Sequence, residues 1–200
     1  KDEVNDLLHK MRVRRLEGES IRDSLLKVSG QLDPKAYGPS EQIHLTSFMT
    51  GRGRPRESGP LDGANRRSIY VEVRRNFLSP FLITFDTPIP FTTFGKRSQS
   101  NVPAQSLVLM NDPFVIQQAE AWATKLQGLD ISNEAKLIHV YETALGRLPA
   151  EEETRSARQF LKEQKRAHLK NVNGPEEAGK KAWADLCHVL FNVKEFIYIH

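Results

Sequence analysis

Several arginines in the middle of the chain are the side chains best suited to bind an anion. A guanidinium group presents a planar pair of donors that fits phosphate, sulfate or carboxylate oxygens. One hypothesis is an arginine-lined anion pocket of a hydrolase or carbohydrate-active protein, with Arg67, Arg75 and Arg97 beside Asp86. The other hypothesis is that these arginines, together with Arg66, Arg74 and Lys96, pair with Asp86, Glu72 or helix carbonyls and hold irregular backbone in place. We favour the second, because irregular segments need side-chain partners for their backbone groups.

A second basic group lies in the segment 50–65, which is rich in Gly and is predicted to be a mobile loop. Residues 51–56 read GRGRPR. Arg52, Arg54 and Arg56 in this string resemble an AT-hook core, in which an extended Arg-Gly-Arg lies in the minor groove of A·T-rich DNA. The string is short, occurs once, and arises readily in a solvated loop. DNA binding is therefore an alternative, and we do not expect nucleic acid to be the partner.

No pattern in the sequence predicts a catalytic or metal site. Cys187 and His188 are neighbours on a predicted helix, where successive side chains point about 100° apart, so they do not face each other. Asn111 and Asp112 precede Pro113 and are explained by a helix N-cap. No histidine spacing puts two metal ligands on one helical face. The single cysteine excludes an intrachain disulfide, a cysteine zinc site and a Cys-x-x-Cys-His haem attachment. We predict no catalytic residue, metal or cofactor in this chain.

The composition is that of an ordinary globular protein. The chain has 200 residues, of which 38% are hydrophobic and 27% charged, enough for one domain over residues 1–200 with a sizeable core. The net charge of +4 permits an anionic partner without requiring one. No apolar run approaches the roughly 20 residues that a membrane span needs.

Apolar periodicity, capping residues and Gly or Pro stops predict about six helices. They are expected at residues 12–28, 103–110, 114–127, 132–145, 150–169 and 176–191. Between the first two, residues 68–73 are β-branched and aromatic, as in a short strand. Residues 77–85 carry a proline and predict a broken helix or irregular chain. The expected fold is therefore mainly α, one irregular helical domain with a small extended or two-stranded element near residues 67–94.

Several motifs, read together, resemble a known family. They are RLExExIRD at 15–23, RRSIY at 66–70, RRN at 74–76, FDxP at 85–88, Arg97, NxPxQxL at 101–107, LMNDPFV at 109–115, YxxALGRxP at 141–149 and DLCHxLxNxxEF at 185–196. This series is similar to the planctomycete-type domain of unknown function found at the C-terminal end of large extracytoplasmic proteins that bear a cytochrome c domain. The resemblance implies that the chain is the C-terminal two-thirds of that domain.

The resemblance also implies a location outside the cytoplasm, periplasmic or secreted, with any haem carried by another domain of the full-length protein. It transfers no catalytic residue. The function favoured is a non-enzymatic structural or protein-interaction module, whose partners are other domains of the same polypeptide or separate proteins. We expect an exposed apolar patch near the first helix or the C-terminal tail, where the rest of the family domain would lie.

Overall fold

Helices dominate the computed structural model, which describes residues 6–7, 9–91, 93, 95–172 and 174–199. The described chain forms eight α helices and two short strands. These are β1 (Arg14–Arg15), α1 (Gly18–Ser29), α2 (Pro80–Thr84), α3 (Pro103–Asn111), α4 (Pro113–Gln127), α5 (Asn133–Leu145), α6 (Glu151–His168), α7 (Pro175–Asn192), α8 (Lys194–Ile197) and β2 (Tyr198–Ile199). The mainly helical fold is confirmed. Over these residues, no helix has the length and apolar character needed to cross a membrane.

The helix boundaries follow the capping residues. The Ser132 hydroxyl accepts a hydrogen bond from the Ala135 N–H, and α5 ends at Gly146, whose φ of 69° is left-handed. Asp112 caps α4 by accepting from the Phe114 N–H at 2.9 Å. The first helix is shorter than predicted, because the residues just before Gly18 pair as a strand instead.

The two-stranded element lies elsewhere than near residues 67–94. β1 pairs antiparallel with β2, and Arg14 faces Ile199. In the segment 67–94, Ser68–Tyr70 is a turn of 3₁₀ helix, while Thr92 and Phe94 lie outside the described residues. The segment 68–73 forms a 3₁₀ turn followed by a single parallel bridge rather than a strand: the Asp23 carboxylate accepts from the Ser68 N–H at 2.7 Å, and Val71 pairs with Glu41.

The core is centred on α4 and α7. Trp122 of α4 stacks on Phe191 of α7, with ring centroids 5.2 Å apart and planes inclined by 25°. Phe191 also contacts Phe196 of α8. α1 packs against α4 and contributes Ile21 and Leu25, both fully buried. Burial of these large apolar side chains is the main stabilising contribution of the helical frame.

Cys187 belongs to this core. Its side chain on α7 is fully buried, and burial raises the pKa of its thiol well above the usual range. A buried thiol with a raised pKa neither reaches a substrate nor forms the nucleophilic thiolate. The structure therefore gives Cys187 the role of a small apolar core residue.

Arg147 ties three parts of the helical frame together. It follows α5 and donates to both carboxylate oxygens of Glu153 in α6, at 2.7 and 2.8 Å, and to both of Glu195 in α8, at the same two distances. Glu153 also accepts from the Ala150 N–H. Hydrogen bonds from Arg147 lower the pKa of Glu153 to about 2, against the opposing effect of burial.

Replacing Arg147 by Ala should lower the free energy of unfolding by about 1 kcal/mol at pH 7, since the carboxylates stay largely solvated. Because the pKa of Glu153 is depressed in the folded state, its contribution is present above its usual pKa of 4.5 and is lost as the pH falls towards 2. Urea unfolding of both proteins at pH 7 and at pH 2.5 measures this difference. Arg155→Ala, which removes an exposed pair with Glu152, is the control with no expected change. A difference that stays constant between the two pH values would contradict this role.

The Cys187 thiol should not react with Ellman's reagent at pH 8 until the protein unfolds. An exposed cysteine introduced by Ile138→Cys in a Cys187→Ala background should react at once, because Ile138 is 42% exposed. The rate of thionitrobenzoate release, measured with and without urea, distinguishes the two sites. Rapid reaction of Cys187 in the native protein would show that this part of the core opens.

Candidate functional site

A groove of about 460 Å³ lies between α1, the Ser68–Tyr70 turn and α2. Leu78 and Leu82 line it together with Ile69, Val73 and Ile83. The last three are 74%, 68% and 42% exposed. Large apolar side chains that line a concave surface and remain in water are typical of a binding site. We call this feature the α1–α2 groove.

Both arginines that line the α1–α2 groove pair with its acids, which outnumber them by four to two. Arg97 donates to the two carboxylate oxygens of Glu19 at 2.8 and 3.1 Å, and to Glu17 at 3.1 Å. Burial opposes ionisation of Glu19, but the hydrogen bonds from Arg97 outweigh it and lower the pKa of this carboxyl group. Arg67 lies 3.6 Å from Asp23 across the same groove. Both arginines are therefore engaged with acids rather than positioned for an external anion.

Asp86 lies outside the groove lining and is held from two sides. Its carboxylate pairs with Arg15 at 2.5 Å and accepts from the Ser100 backbone N–H and hydroxyl, each at 2.8 Å. Asp86 has a φ of 63° and follows the last turn of α2, where the Thr87 N–H donates to the Leu82 carbonyl. This is the left-handed end of a helix that Gly usually occupies. The carboxylate therefore fastens a strained helix end.

The structure brings two of the four predicted anion-binding residues to one groove. Arg67 and Arg97 line it, whereas Asp86 and Arg75 do not. Arg75 is exposed and has no ion-pair partner among the described residues. The reason is local: each arginine takes the nearest acid or stays in solvent, so no set of three points at a common centre.

Arg52, Arg54 and Arg56 are exposed to solvent. The Arg54 N–H donates to the Gly51 carbonyl at 3.3 Å, and Gly53 has a φ of 83°. The segment therefore turns at these glycines. An extended Arg-Gly-Arg, as minor-groove binding needs, is not the conformation here.

Three buried arginines organise the irregular chain; the sequence predicted this role for Arg66 but not for Arg22 or Arg15. Arg22 of α1 donates to the carbonyls of Arg66 and Asp62, at 2.9 and 2.6 Å, and to the Ser68 hydroxyl. Arg66 donates to the Tyr37 and Pro39 carbonyls, each at 2.7 Å, and stacks on the Tyr70 ring. Arg15 is the third, through Asp86. For Arg22, the only signal in the sequence was that it lies close to the apolar residues of an amphipathic helix.

A histidine–carboxylate pair joins α6 to α7 and had no sequence signal. His168 Nε2 lies 2.6 Å from an Asp185 oxygen, beside a cavity of about 660 Å³. The only hydroxyl side chain that lines the cavity is Thr124, which donates to the Glu120 carbonyl of its own helix. The pair therefore has no nucleophile to activate and connects two helices.

The remaining candidates are structural. The His188 ring forms a hydrogen bond with the Leu109 carbonyl at 2.9 Å, so its Nε2 is paired with backbone rather than with a thiolate. Asp112 is the α4 N-cap; burial raises the pKa of its carboxyl group, and the Phe114 N–H opposes that shift. In the parts of the chain that the structure describes, no three His, Cys, Asp or Glu side chains come close enough to hold a metal ion.

Comparison with known proteins assigns the chain to a family. One family model, described as PSD1, protein of unknown function (DUF1553), matches residues 1–161 of the 200. The matched part contains the α1–α2 groove, the buried arginines and the Gly-rich segment 50–65 with its three arginines, and it ends within α6. No curated protein and no solved structure matches the chain. Since the match covers most of the sequence, the chain belongs to the PSD1 family of proteins of unknown function.

Proposed function

We propose that this chain is a non-enzymatic interaction module, and that the α1–α2 groove is its docking surface for another part of the same polypeptide. The observation that carries the proposal is the contrast within the groove. Its lip is apolar and exposed at Ile69 and Val73, while both of its arginines are already paired with acids. An apolar lip whose neighbouring arginines are already paired gains free energy from burial against a protein segment.

The chemistry of the groove supports binding rather than catalysis. No His or Cys is among the residues that line it. The Ser68 hydroxyl donates to Asp23 at 2.7 Å, and the Ser79 hydroxyl caps α2. With no histidine in the lining, neither of these serines forms the Ser–His pair that would activate its hydroxyl. The hydrolase alternative, with Arg67, Arg75 and Arg97 beside Asp86, is less well supported, because Arg75 is exposed and the other three residues have separate partners.

The context proposed for the module is an extracytoplasmic multidomain protein of planctomycete type with a separate cytochrome c domain. This part of the proposal is supported by the family resemblance of the motifs described above. Any haem would belong to that separate domain, because this chain has one cysteine and that cysteine is buried. The module would then support the assembly of an electron-transfer protein without carrying the cofactor.

A photo-crosslinking residue at position 69 of the full-length protein, expressed in its native cells, tests the docking surface. We expect crosslinks from position 69 to a segment of the same polypeptide outside these 200 residues, identified by mass spectrometry of the peptides. The matched control is position 148, because Leu148 is 62% exposed and lies outside the groove. Crosslinking at position 69 no stronger than at position 148, or only to other proteins, would contradict the proposal. Fractionation of the same cells tests the extracytoplasmic location.

A further inference from the structure

Residues 46–57, which we call the arginine loop, form a protrusion closed at its base. The Gly59 N–H donates to the Ile43 carbonyl at 2.9 Å, and the Ser58 hydroxyl accepts from the Leu45 N–H at 2.9 Å. A side chain at position 59 would place its Cβ 1.9 Å from the Gln42 carbonyl oxygen, so the close approach requires glycine. A surface loop whose ends are held together in this way is frequently functional.

The root of the arginine loop is anchored in a small apolar cluster. Ile43, Leu45 and Phe77 are buried together, and Met49 packs against them. The Met49 N–H donates to the Thr46 carbonyl, which makes a turn at residues 46–49. Anchoring Met49 inward fixes the direction of the residues on either side of it.

Phe48 is the residue that this turn presents to solvent. It is 92% exposed, next to Met49, which is partly buried against the cluster. A phenylalanine fully in water forgoes a favourable transfer to an apolar phase. Phe48 lies at a turn and not in the cluster beneath it. Its ring would therefore be buried favourably by a partner with an apolar layer.

Arg52, Arg54 and Arg56 follow this phenylalanine in sequence and are exposed. None of the three side chains has an ion pair or hydrogen bond with the described part of the chain. The loop's own acid is Glu57, which leaves it with an excess of positive charge. Arginines elsewhere at the surface, such as Arg97 and Arg147, are paired with carboxylates.

We infer that the arginine loop binds the surface of an anionic lipid bilayer. Phe48 would enter the boundary between headgroups and acyl chains, and the three guanidinium groups would bind lipid phosphates. A bilayer offers both an apolar layer and a dense anionic surface within the reach of one loop. Duplex DNA offers the charge alone, and the turn at residues 51–54 does not match the extended chain that its minor groove accepts.

Flotation of the 200-residue chain with vesicles tests this inference. We expect binding to vesicles of phosphatidylglycerol and phosphatidylcholine at low salt, and none to pure phosphatidylcholine. The triple substitution Arg52→Ala, Arg54→Ala, Arg56→Ala should lower the bound fraction at least tenfold. The matched control Arg12→Ala, Arg75→Ala, Arg166→Ala removes the same charge from other exposed positions and should keep most of the binding. Equal losses in the two triple variants would overturn the assignment, since net charge alone would then explain binding.

Phe48→Trp supplies a second readout that separates insertion from charge. Trp122 and Trp183 are buried, so a blue shift of emission on adding the anionic vesicles would come from position 48. We expect this shift, together with quenching by brominated lipid. Binding without either signal would overturn the role of Phe48. Tighter binding to duplex DNA or single-stranded oligonucleotide at the same salt, lost on Phe48→Ala, would assign the loop to nucleic acid and overturn the inference.

Discussion

The structure depends on a constraint of backbone chemistry: a long irregular segment packs against helices, and its buried carbonyl groups need donors. Between α1 and α3 the chain forms little regular structure, so turns and single bridges supply only part of the partners. Arg22, which is 6% exposed, supplies three hydrogen bonds to this segment from one helix position and also lies over the Phe114 ring of α4. Burial lowers the pKa of its guanidinium group, with Asp23 and Asp62 opposing the shift. A buried cation is thus held by oxygen acceptors on one side and a ring on the other.

This constraint determines where binding surfaces arise. Arginines and acids that would have formed a reactive centre are used to fasten backbone and helix ends, as Arg15 and Asp86 do. Among the apolar side chains left in water are the lip of the α1–α2 groove and the tip of the arginine loop. Both lie in or beside the irregular segment, whereas the helices of the frame build most of the core. The frame therefore gives stability, and the segment that it holds gives the surfaces for partners.

The helical frame could be predicted from the sequence because each boundary has a local cause, such as Ser132, Gly146 or Pro113. The irregular segment could not, because its conformation is set by contacts distant along the chain. The strand predicted at 68–73 begins as a turn at Ser68, held by Asp23 from 45 residues away, and continues as one bridge to Glu41. The same limit applies to the candidate site. The presence of arginines indicated anion binding, but their spacing along the chain does not show which acid each arginine reaches. The favoured hypothesis, that polar side chains hold irregular backbone in place, agrees with the contacts of Arg22 and Asp86.

Hydrogen exchange of Arg22→Met measures most directly whether a buried arginine holds the irregular segment. We expect the amides of Asp33, Ser68 and Glu72 to lose protection, and the free energy of unfolding to fall by about 3 kcal/mol, because buried acceptors are left without a donor. Amides within α7 should stay protected. Arg22→Lys, which keeps the charge and one donor group, should give a smaller change, and the exposed Arg67→Met should give almost none. Wild-type protection at all three amides in Arg22→Met would contradict this account.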